Sequence, residues 1–314
     1  MAKKESQEKF KTMIGGQALI EGIMMMGPEK SAVVVRTRDG IESKVTPLKK
    51  SQGFSVKKLP LIRGVFNFCK SMKVGVTALM YSADLFAEDD GETPEKQSKF
   101  DQWLEKKLSG EKAQNVLITL SVVLGIAFSV ALFFVLPSLL GSLINRWVTA
   151  NELVRNLLEG LLRIVIFLSY MFLVSRMKDM KRVFSYHGAE HKTIRCYEAR
   201  LPLTVENVRK MTRLHPRCGT SFLLVVMVIS ILVFSIASSA LLAIFPGLET
   251  IRGTFGYRML MIAFKLLLLP VVVGITYEIN RWCGRNDNAF TRALSAPGMW
   301  MQHFTTNEPD DSMI

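Results

Sequence analysis

Four long runs of the chain are apolar enough to cross a lipid bilayer. Residues 115–145 and 218–248 contain no charged side chain, and the runs 153–175 and 259–278 contain only isolated ones. At a rise of about 1.5 Å per residue, helices of this length cross a hydrocarbon core of about 30 Å. The pattern predicts a mainly α-helical fold with a transmembrane bundle of four helices, at residues 116–145, 153–175, 222–246 and 259–279.

A few polar residues and one proline stand inside these apolar runs. Glu159 and Arg163 are four positions apart, so they share a helix face and can form an ion pair. Lys265 would be costly in contact with lipid, and we expect it to face protein, water or the membrane interface. Pro137 is expected to kink or end the first helix, because proline lacks the N–H group that a helix needs.

The distribution of basic residues predicts how these helices are oriented. Residues 176–221 carry eleven Lys and Arg against four acidic residues, whereas 146–155 and 249–258 carry two basic residues each. Because basic loops tend to stay in the cytoplasm, we expect the His-rich loop 176–221 to be cytoplasmic. An even number of spans then places both termini there, including a C-terminal tail at 280–314 whose tip is expected to be poorly ordered.

The polar start of the chain predicts a small cytoplasmic α+β region. Within residues 1–57, the segments 32–37 and 41–46 have the composition of strands, and 38–40 is a hairpin turn signal. The paired glycines at 15–16 predict tight turns or a close approach of the backbone to another group.

Residues 58–87 have the pattern of an amphipathic helix, whose apolar positions recur at helical spacing. Two interpretations stay open. The helix lies in the membrane interface, attracted by anionic lipid headgroups, or it packs on the predicted strands. The next segment, 88–115, is polar at its start and is typical of a linker that leads into a helix.

The composition adds a net charge of +13 and a sequence pI near 9.7. The orientation of the helices accounts for much of this basic excess, so we expect no sequence-specific DNA binding. The four cysteines are widely spaced and include no CxxC pair, which indicates a reducing compartment and no disulfide framework. The bilayer itself is the one partner that the apolar runs require.

The candidate chemistry lies in two short strings of the predicted middle loop. His187 and His191 enclose Glu190 in an H-x-x-E-H pattern, which on a helix turns both imidazoles to one face. Such a pair could hold one zinc ion, with Glu190 as general base for a catalytic site. His215 and Cys218 follow within the same loop and could complete the ligand set.

Three interpretations of these residues stay open. The first is a catalytic zinc site, which would take a further acidic ligand, with Glu198 and Glu206 available. The second is a closed structural site in which His187, His191, His215 and Cys218 complete a tetrahedron. The third is that they are polar packing residues at the membrane surface. Cys196 is interpreted as a small buried apolar residue rather than a ligand.

Six strings of the sequence form a distinctive set: GGQALIEG at 15–22, RG at 63–64, YHGAEHK at 186–192, HPRCGTSF at 215–222, APG at 296–298 and TTNEP at 305–309. Together they resemble the YqhQ-like family of bacterial multi-pass membrane proteins. It implies a protein of the bacterial plasma membrane with an undefined role. The family is sometimes described as a predicted metal-dependent enzyme, a description that points to the same histidines.

Three classes of function fit these features. A scaffold or biogenesis factor would use the basic cytoplasmic face to meet a ribosome, a translocon or other membrane proteins, and the sequence favours it narrowly because it needs no substrate pocket. The alternative is a membrane-bound zinc-dependent hydrolase. A small-solute transporter is third, since Lys265, Glu159 and Arg163 are its only intramembrane ionisable candidates.

Overall fold

The computed structural model of the protein describes residues 12, 14–48, 59–89, 111–144, 152–286 and 288–314. These residues fall into two units. The first unit takes its residues from 1–89, 170–229 and 270–314, and the second from 90–169 and 230–269. As the sequence predicts, the described chain is mainly α-helical, with a small antiparallel sheet near its N-terminus.

The helices differ greatly in length and composition. A π-helical turn, Ala131–Val135, joins the second to the third, and a 3-10 turn, Pro246–Glu249, follows the seventh. In chain order the helices are α1 (Ile62–Asp89), α2 (Glu111–Val130), α3 (Leu136–Ile144), α4 (Glu152–Arg176), α5 (Lys178–Glu198), α6 (Val205–Arg209), α7 (Gly219–Ile244), α8 (Phe255–Arg285) and α9 (Ala289–Thr305).

The sheet of the first unit is a meander of four antiparallel strands in chain order: β1 (Gly15–Leu19), β2 (Gly22–Met26), β3 (Lys30–Thr37) and β4 (Gly40–Pro47). The predicted hairpin is confirmed as β3 and β4, paired from Thr37 with Gly40 to Lys30 with Pro47. The sequence pattern does not predict β1 and β2, because their glycines and consecutive methionines give no alternation of apolar and polar positions.

Helices cover both faces of this sheet. On one face Leu19 and Met24 form a buried cluster with Ala78 of α1. On the other face α5 packs on β1 and β2, and a Cβ atom at Gly16 would lie 2.6 Å from the carboxylate of Glu190. The close backbone approach predicted for the paired glycines is therefore found at Gly16, since neighbouring strand residues point to opposite faces.

Helix α1 carries two distinct apolar faces. Its sheet side uses small residues, with Gly75, Ala78 and Ser82 buried. The large apolar residues that make the sequence pattern lie elsewhere and stay exposed, for example Met72 at 51% and Val76 at 56%. Both open interpretations of this helix therefore have a physical basis, because one face packs on the strands and the other is left uncovered in the described chain.

Among the described residues, four helical segments are long and apolar enough to cross a membrane. They are Thr119–Ile144, Asn156–Arg176, Gly219–Ile244 and Phe255–Arg285. Each includes most of one predicted apolar run. The last is longer than predicted at both ends, since α8 continues through Tyr277, Glu278 and Trp282 to Arg285.

Pro137 does not end the first of these helices. The chain passes through the π-helical turn and continues as α3 beyond the proline. Pro137 has no N–H to offer to the carbonyl of Phe133, four residues earlier. That carbonyl instead accepts a hydrogen bond of 2.8 Å from Nε of Arg163, so the missing donor is replaced from α4.

The polar residues inside the apolar runs of the second unit form one network. Nη2 of Arg163 lies 3.0 Å from Glu159 Oε1, and Nζ of Lys265 lies 2.7 Å from the same oxygen. The predicted pairing of Glu159 with Arg163 is confirmed, and Lys265 faces protein. Because each of these charges has a partner, we interpret the network as a structural contact between helices.

Two segments predicted as a loop and a tail are largely helical. The predicted loop 176–221 contains α5 and α6, and the predicted tail 280–314 contains the end of α8 and all of α9. Consecutive polar residues of α5 are buried, Glu190, His191 and Lys192 among them, so the helix shows no apolar stripe. The predicted linker 88–115 lies mostly outside the described residues, between the end of α1 and the start of α2.

The tip of the tail contacts α5 and α6, where poor order was expected. The backbone N–H of Asn307 donates to the carbonyl of Phe184 at 2.8 Å. Glu308 lies 2.5 Å from Nζ of Lys192, and Arg209 pairs with Asp311. These contacts are long-range, and a polar C-terminal string gives no local signal of them.

Candidate metal centre

Helix α5 presents three polar side chains to the interior of the first unit. His187, Glu190 and His191 are spaced at i, i+3 and i+4, so they share one face of the helix. Glu190 and His191 are buried, and His187 is partly exposed. Gly188 lies against the backbone carbonyl of Asn307, which explains a glycine inside this helix: a side chain there would displace the tail.

The thiol of Cys218 lies beside the two histidines, and Cys218 directly precedes α7. Its Sγ atom lies 3.2 Å from Nε2 of His187. One ligand atom from each of His187, His191 and Cys218 lies within 4.8 Å of the other two. Tetrahedral zinc separates nitrogen and sulfur ligand atoms by about 3.3–3.8 Å, so small adjustments would bring this group to zinc geometry.

Hydrogen bonds fix the tautomer of both imidazoles. Nδ1 of His187 lies 2.7 Å from the carbonyl oxygen of Thr305, and Nδ1 of His191 lies 2.6 Å from that of Arg213. A carbonyl can only accept, so each Nδ1 carries a proton and donates it. In the neutral rings both Nε2 atoms keep a lone pair, the arrangement found around histidines that bind metals.

Glu190 lies beside this group without belonging to it. Its Oε2 atom is 3.9 Å from Nε2 of His187 and has no hydrogen-bond partner among the described residues. Burial raises the pKa of the Glu190 carboxyl to about 7, and the charge of His187 opposes that shift only in part. Oε2 of Glu190 thus lies without a hydrogen-bond partner among the described residues, beside two imidazoles and a thiol that can bind a metal. This arrangement fits a metal centre with a neighbouring proton acceptor.

The structure holds His215 apart from the three ligands. Its backbone is pinned by Gln302, which accepts from the His215 N–H at 2.8 Å and donates to its carbonyl at 2.7 Å. The ring stacks 5.5 Å from that of His191, and burial and neighbouring cations lower the pKa of His215 to about 3. His215 is therefore neutral and lies beside the site. Of the four residues in the interpretation of a closed tetrahedral site, the structure brings three together.

The acidic residues offered as a further ligand are engaged elsewhere. Glu198 accepts from Arg217 and, at 2.8 Å, from the backbone N–H of Thr12. Although burial acts against it, these hydrogen bonds lower the pKa of the Glu198 carboxyl. Glu206 is exposed and pairs with Lys210. Neither carboxylate joins the group of three.

Cys196 is fully buried and faces backbone carbonyls of Leu201 and Pro202 at 3.9 and 3.6 Å. Burial raises the pKa of its thiol. These contacts agree with a small packing residue rather than a metal ligand.

Two backbone carbonyls orient the histidine rings, and they come from segments without a recognisable sequence motif for metal binding. Thr305 ends α9 and supplies a carbonyl to His187, while Arg213 supplies one to His191 from the segment between α6 and α7. Sequence reasoning missed both, because any residue has a carbonyl and only the fold decides where it points. The one available signal is the string TTNEP, which begins at Thr305.

The described chain is thus a mainly helical protein with four long apolar segments and a small antiparallel sheet. The chain is a member of the family described as proteins of unknown function (DUF1385), whose model matches residues 59–314. It is similar to the uncharacterized protein YqhQ of Bacillus subtilis (strain 168), with 31% identity over 98% of this chain and 91% of that protein. The resemblance seen in the sequence is confirmed.

No solved structure gives a significant match. The family match includes His187, His191 and Cys218 of the candidate metal centre, whereas the four-stranded sheet precedes the matched residues.

Proposed function

We propose that the protein is a membrane-anchored, zinc-dependent hydrolase with its site on the cytoplasmic side of the bacterial plasma membrane. The observation that carries this proposal is the convergence of His187, His191 and Cys218, with lone pairs available on both imidazoles. Three protein ligands leave a fourth coordination position open, which is the pattern of catalytic rather than structural zinc sites.

The chemistry divides between the metal and Glu190. Zinc held by these three residues would supply Lewis acidity toward a carbonyl or phosphoryl oxygen and would activate water for attack. Glu190 is placed to take the proton of that water at Oε2, its oxygen without a partner among the described residues. Gly16 leaves the space that the carboxylate occupies.

The membrane part of the proposal rests on the four apolar segments and on the bias of basic residues. Helix α1 supports a site held close to the bilayer. Its first residues pack on α8, where Arg63 pairs with Glu278 and Asn67 donates to the hydroxyl of Tyr277 at 2.8 Å. The sequence alone narrowly favoured a scaffold. We rank that function second, because a scaffold would not need two imidazoles oriented toward one point.

Metal analysis of detergent-purified protein tests the ligand set. We expect about one zinc per chain in the wild type and strong loss in His187→Ala, His191→Ala and Cys218→Ser. His303→Ala is the matched control, because His303 lies on α9 with an exposed ring and should leave the zinc content unchanged. A wild-type protein purified without chelators that contains no metal would overturn the proposal.

The open coordination position has its own test. In cobalt-substituted protein, acetohydroxamate should change the visible absorption bands as it enters the fourth position, and Glu190→Gln should bind cobalt normally. Glu190→Gln should lower hydrolysis in a panel of ester, amide and phosphoester substrates by about a hundredfold or more. A cobalt spectrum insensitive to acetohydroxamate would identify a closed structural site and refute the hydrolase.

A further inference from the structure

The first unit contains a cavity of about 750 Å³ that none of the three ligands lines. Its walls come from the end of α5, the segment between α6 and α7, the last turns of α8 and the first turns of α9. His215 forms part of the wall and stands between this cavity and the ring of His191. The volume falls in the range of sites for small molecules.

The charge of the cavity wall is strongly positive. Four cationic side chains line it, Arg195, Lys210, Arg217 and Arg292, against the single carboxylate of Glu198. Glu198 is already engaged, since Arg217 donates to it. Lys210 is engaged as well, since it pairs with Glu206. Counting both carboxylates against the four cations, the cavity keeps an excess of two positive charges.

The fold holds one of these cations, Arg195, at an electrostatic disadvantage. Nε of Arg195 is anchored to the carbonyl of Leu214 at 2.7 Å, which brings its guanidinium into the wall. Burial lowers the pKa of Arg195, and the neighbouring charge of Arg217 lowers it further, while Glu198 acts in the opposite direction. Arg195 and Arg217 are partly buried, so their like charges repel, and an anion between them would relieve that repulsion.

Neutral donors complete the surface. The side chains of Asn280, Asn286, Thr212 and Ser295 also line the cavity, so it offers hydrogen bonds as well as charge. Arginine guanidinium groups with amide and hydroxyl donors are the combination that proteins use for phosphate oxygens.

We propose that this cavity is a binding site for a phosphate group, separate from the metal centre. The phosphate is that of a soluble phosphomonoester or of a lipid headgroup, since both present anionic non-bridging oxygens to the wall. The inference does not depend on zinc or on hydrolysis, because the cations that carry it belong to other residues.

Calorimetric titration of the detergent-purified protein tests the site directly. Inorganic phosphate and glycerol 3-phosphate are titrated in one arm, and bilayer discs with or without phosphatidylglycerol are compared in the other. Binding in the first arm identifies a soluble phosphate ligand, and binding only to phosphatidylglycerol discs identifies a headgroup. Absence of binding in both arms overturns the proposal.

Variants assign the binding to the cavity. Lys210→Gln and Arg292→Gln should each weaken phosphate binding by about tenfold, because each removes a charged hydrogen-bond donor. Lys178→Gln, at the exposed start of α5, is the matched control and should leave the affinity unchanged. Binding that is unaffected by both cavity variants overturns the assignment.

A further variant distinguishes loss of phosphate binding from loss of folding. Ser295→Asp places a carboxylate in the wall and should abolish phosphate binding while the circular dichroism spectrum and zinc content stay those of the wild type. Cys218→Ser should lose zinc and keep phosphate binding. If Cys218→Ser loses both, the phosphate binds at the metal centre and the separate site is refuted, whereas failure of zinc binding alone refutes only the hydrolase.

Discussion

At the scale of single residues, the site depends on two glycines, Gly16 and Gly188, as much as on the residues with reactive side chains. Gly16 has no side chain where the Glu190 carboxylate lies, and Gly188 has none where the carbonyl of Asn307 lies. Each glycine allows two parts of the chain, distant in sequence, to meet at α5. Both residues stand in the strings that carry the family resemblance, and this packing is a physical reason for their presence.

Replacing Gly16 by alanine tests this packing. The new methyl group would lie 2.6 Å from Oε1 of Glu190, so β1 and α5 must separate or the carboxylate must move. We expect Gly16→Ala to lower the free energy of unfolding by about 1–3 kcal/mol, as overpacking does elsewhere. Thermal unfolding in detergent, followed by tryptophan fluorescence, gives the measurement.

Gly15→Ala is a matched control for this substitution. A Cβ atom at Gly15 meets nothing within 4 Å, so the neighbouring position tests the same change of backbone entropy without the steric contact. Equal melting temperatures for the two variants would show that the approach of Gly16 to Glu190 does not limit stability.

The sequence predicts the chemistry of the site better than its geometry. His187, Glu190, His191 and Cys218 stand out because few other residue types bind metals or move protons, and the spacing of the first three places them on one helix face. His215 has the same chemical signature, yet Gln302 holds it away from the group. Backbone pinning of this kind depends on tertiary contacts, which a local pattern cannot specify.

At the scale of elements, α1 joins a packing role to an uncovered apolar face. Its small residues pack on the sheet, and its beginning packs on the last turns of α8, a segment able to span a membrane. The exposed stripe includes Ile62, Met72 and Val76. A helix attached to the end of a segment that is long and apolar enough to cross a membrane, with an apolar stripe and Lys70 and Lys73 nearby, suits the interface of an anionic bilayer.

Fluorescent labelling can locate this stripe. Val76→Cys and Ser71→Cys are made in a chain carrying Cys69→Ser and Cys283→Ser, and labelled with an environment-sensitive nitrobenzoxadiazole dye. The two positions differ by about 140° around the helix. In bilayer discs containing phosphatidylglycerol, we expect blue-shifted emission and quenching by lipid-borne spin labels at position 76 only. Water-like emission at both positions would refute the interfacial placement.

The elements that the sequence predicts poorly share a physical cause. The long apolar helices are evident because lipid demands a composition that soluble chains lack. Helix α5 is missed because it buries the polar residues Glu190, His191 and Lys192 among its apolar ones, so the sequence shows no clear apolar period. Strands β1 and β2 are missed for a related reason, since glycine and methionine signal neither strand nor turn by alternation.

At the scale of the whole molecule, the proposals depend on which side of the membrane holds residues 176–221. Four spans and the bias of Lys and Arg predict that both termini and the metal centre face the cytoplasm, while the segment between α7 and α8 faces outward. A cytoplasmic site would meet reduced thiols and soluble phosphates, and Cys218 would stay available as a thiolate ligand.

Cysteine labelling in intact cells tests this orientation. Glu249→Cys lies in the segment between α7 and α8, and Ser312→Cys lies near the C-terminus; both positions are exposed. In the Cys69→Ser, Cys283→Ser background, a membrane-impermeant maleimide should modify position 249 in intact cells and position 312 only after permeabilisation. Since even-numbered spans tie the tail to residues 176–221, labelling of position 312 from outside would place the histidines and the cationic cavity in the opposite compartment. A zinc hydrolase acting on cytoplasmic substrates could not then be maintained.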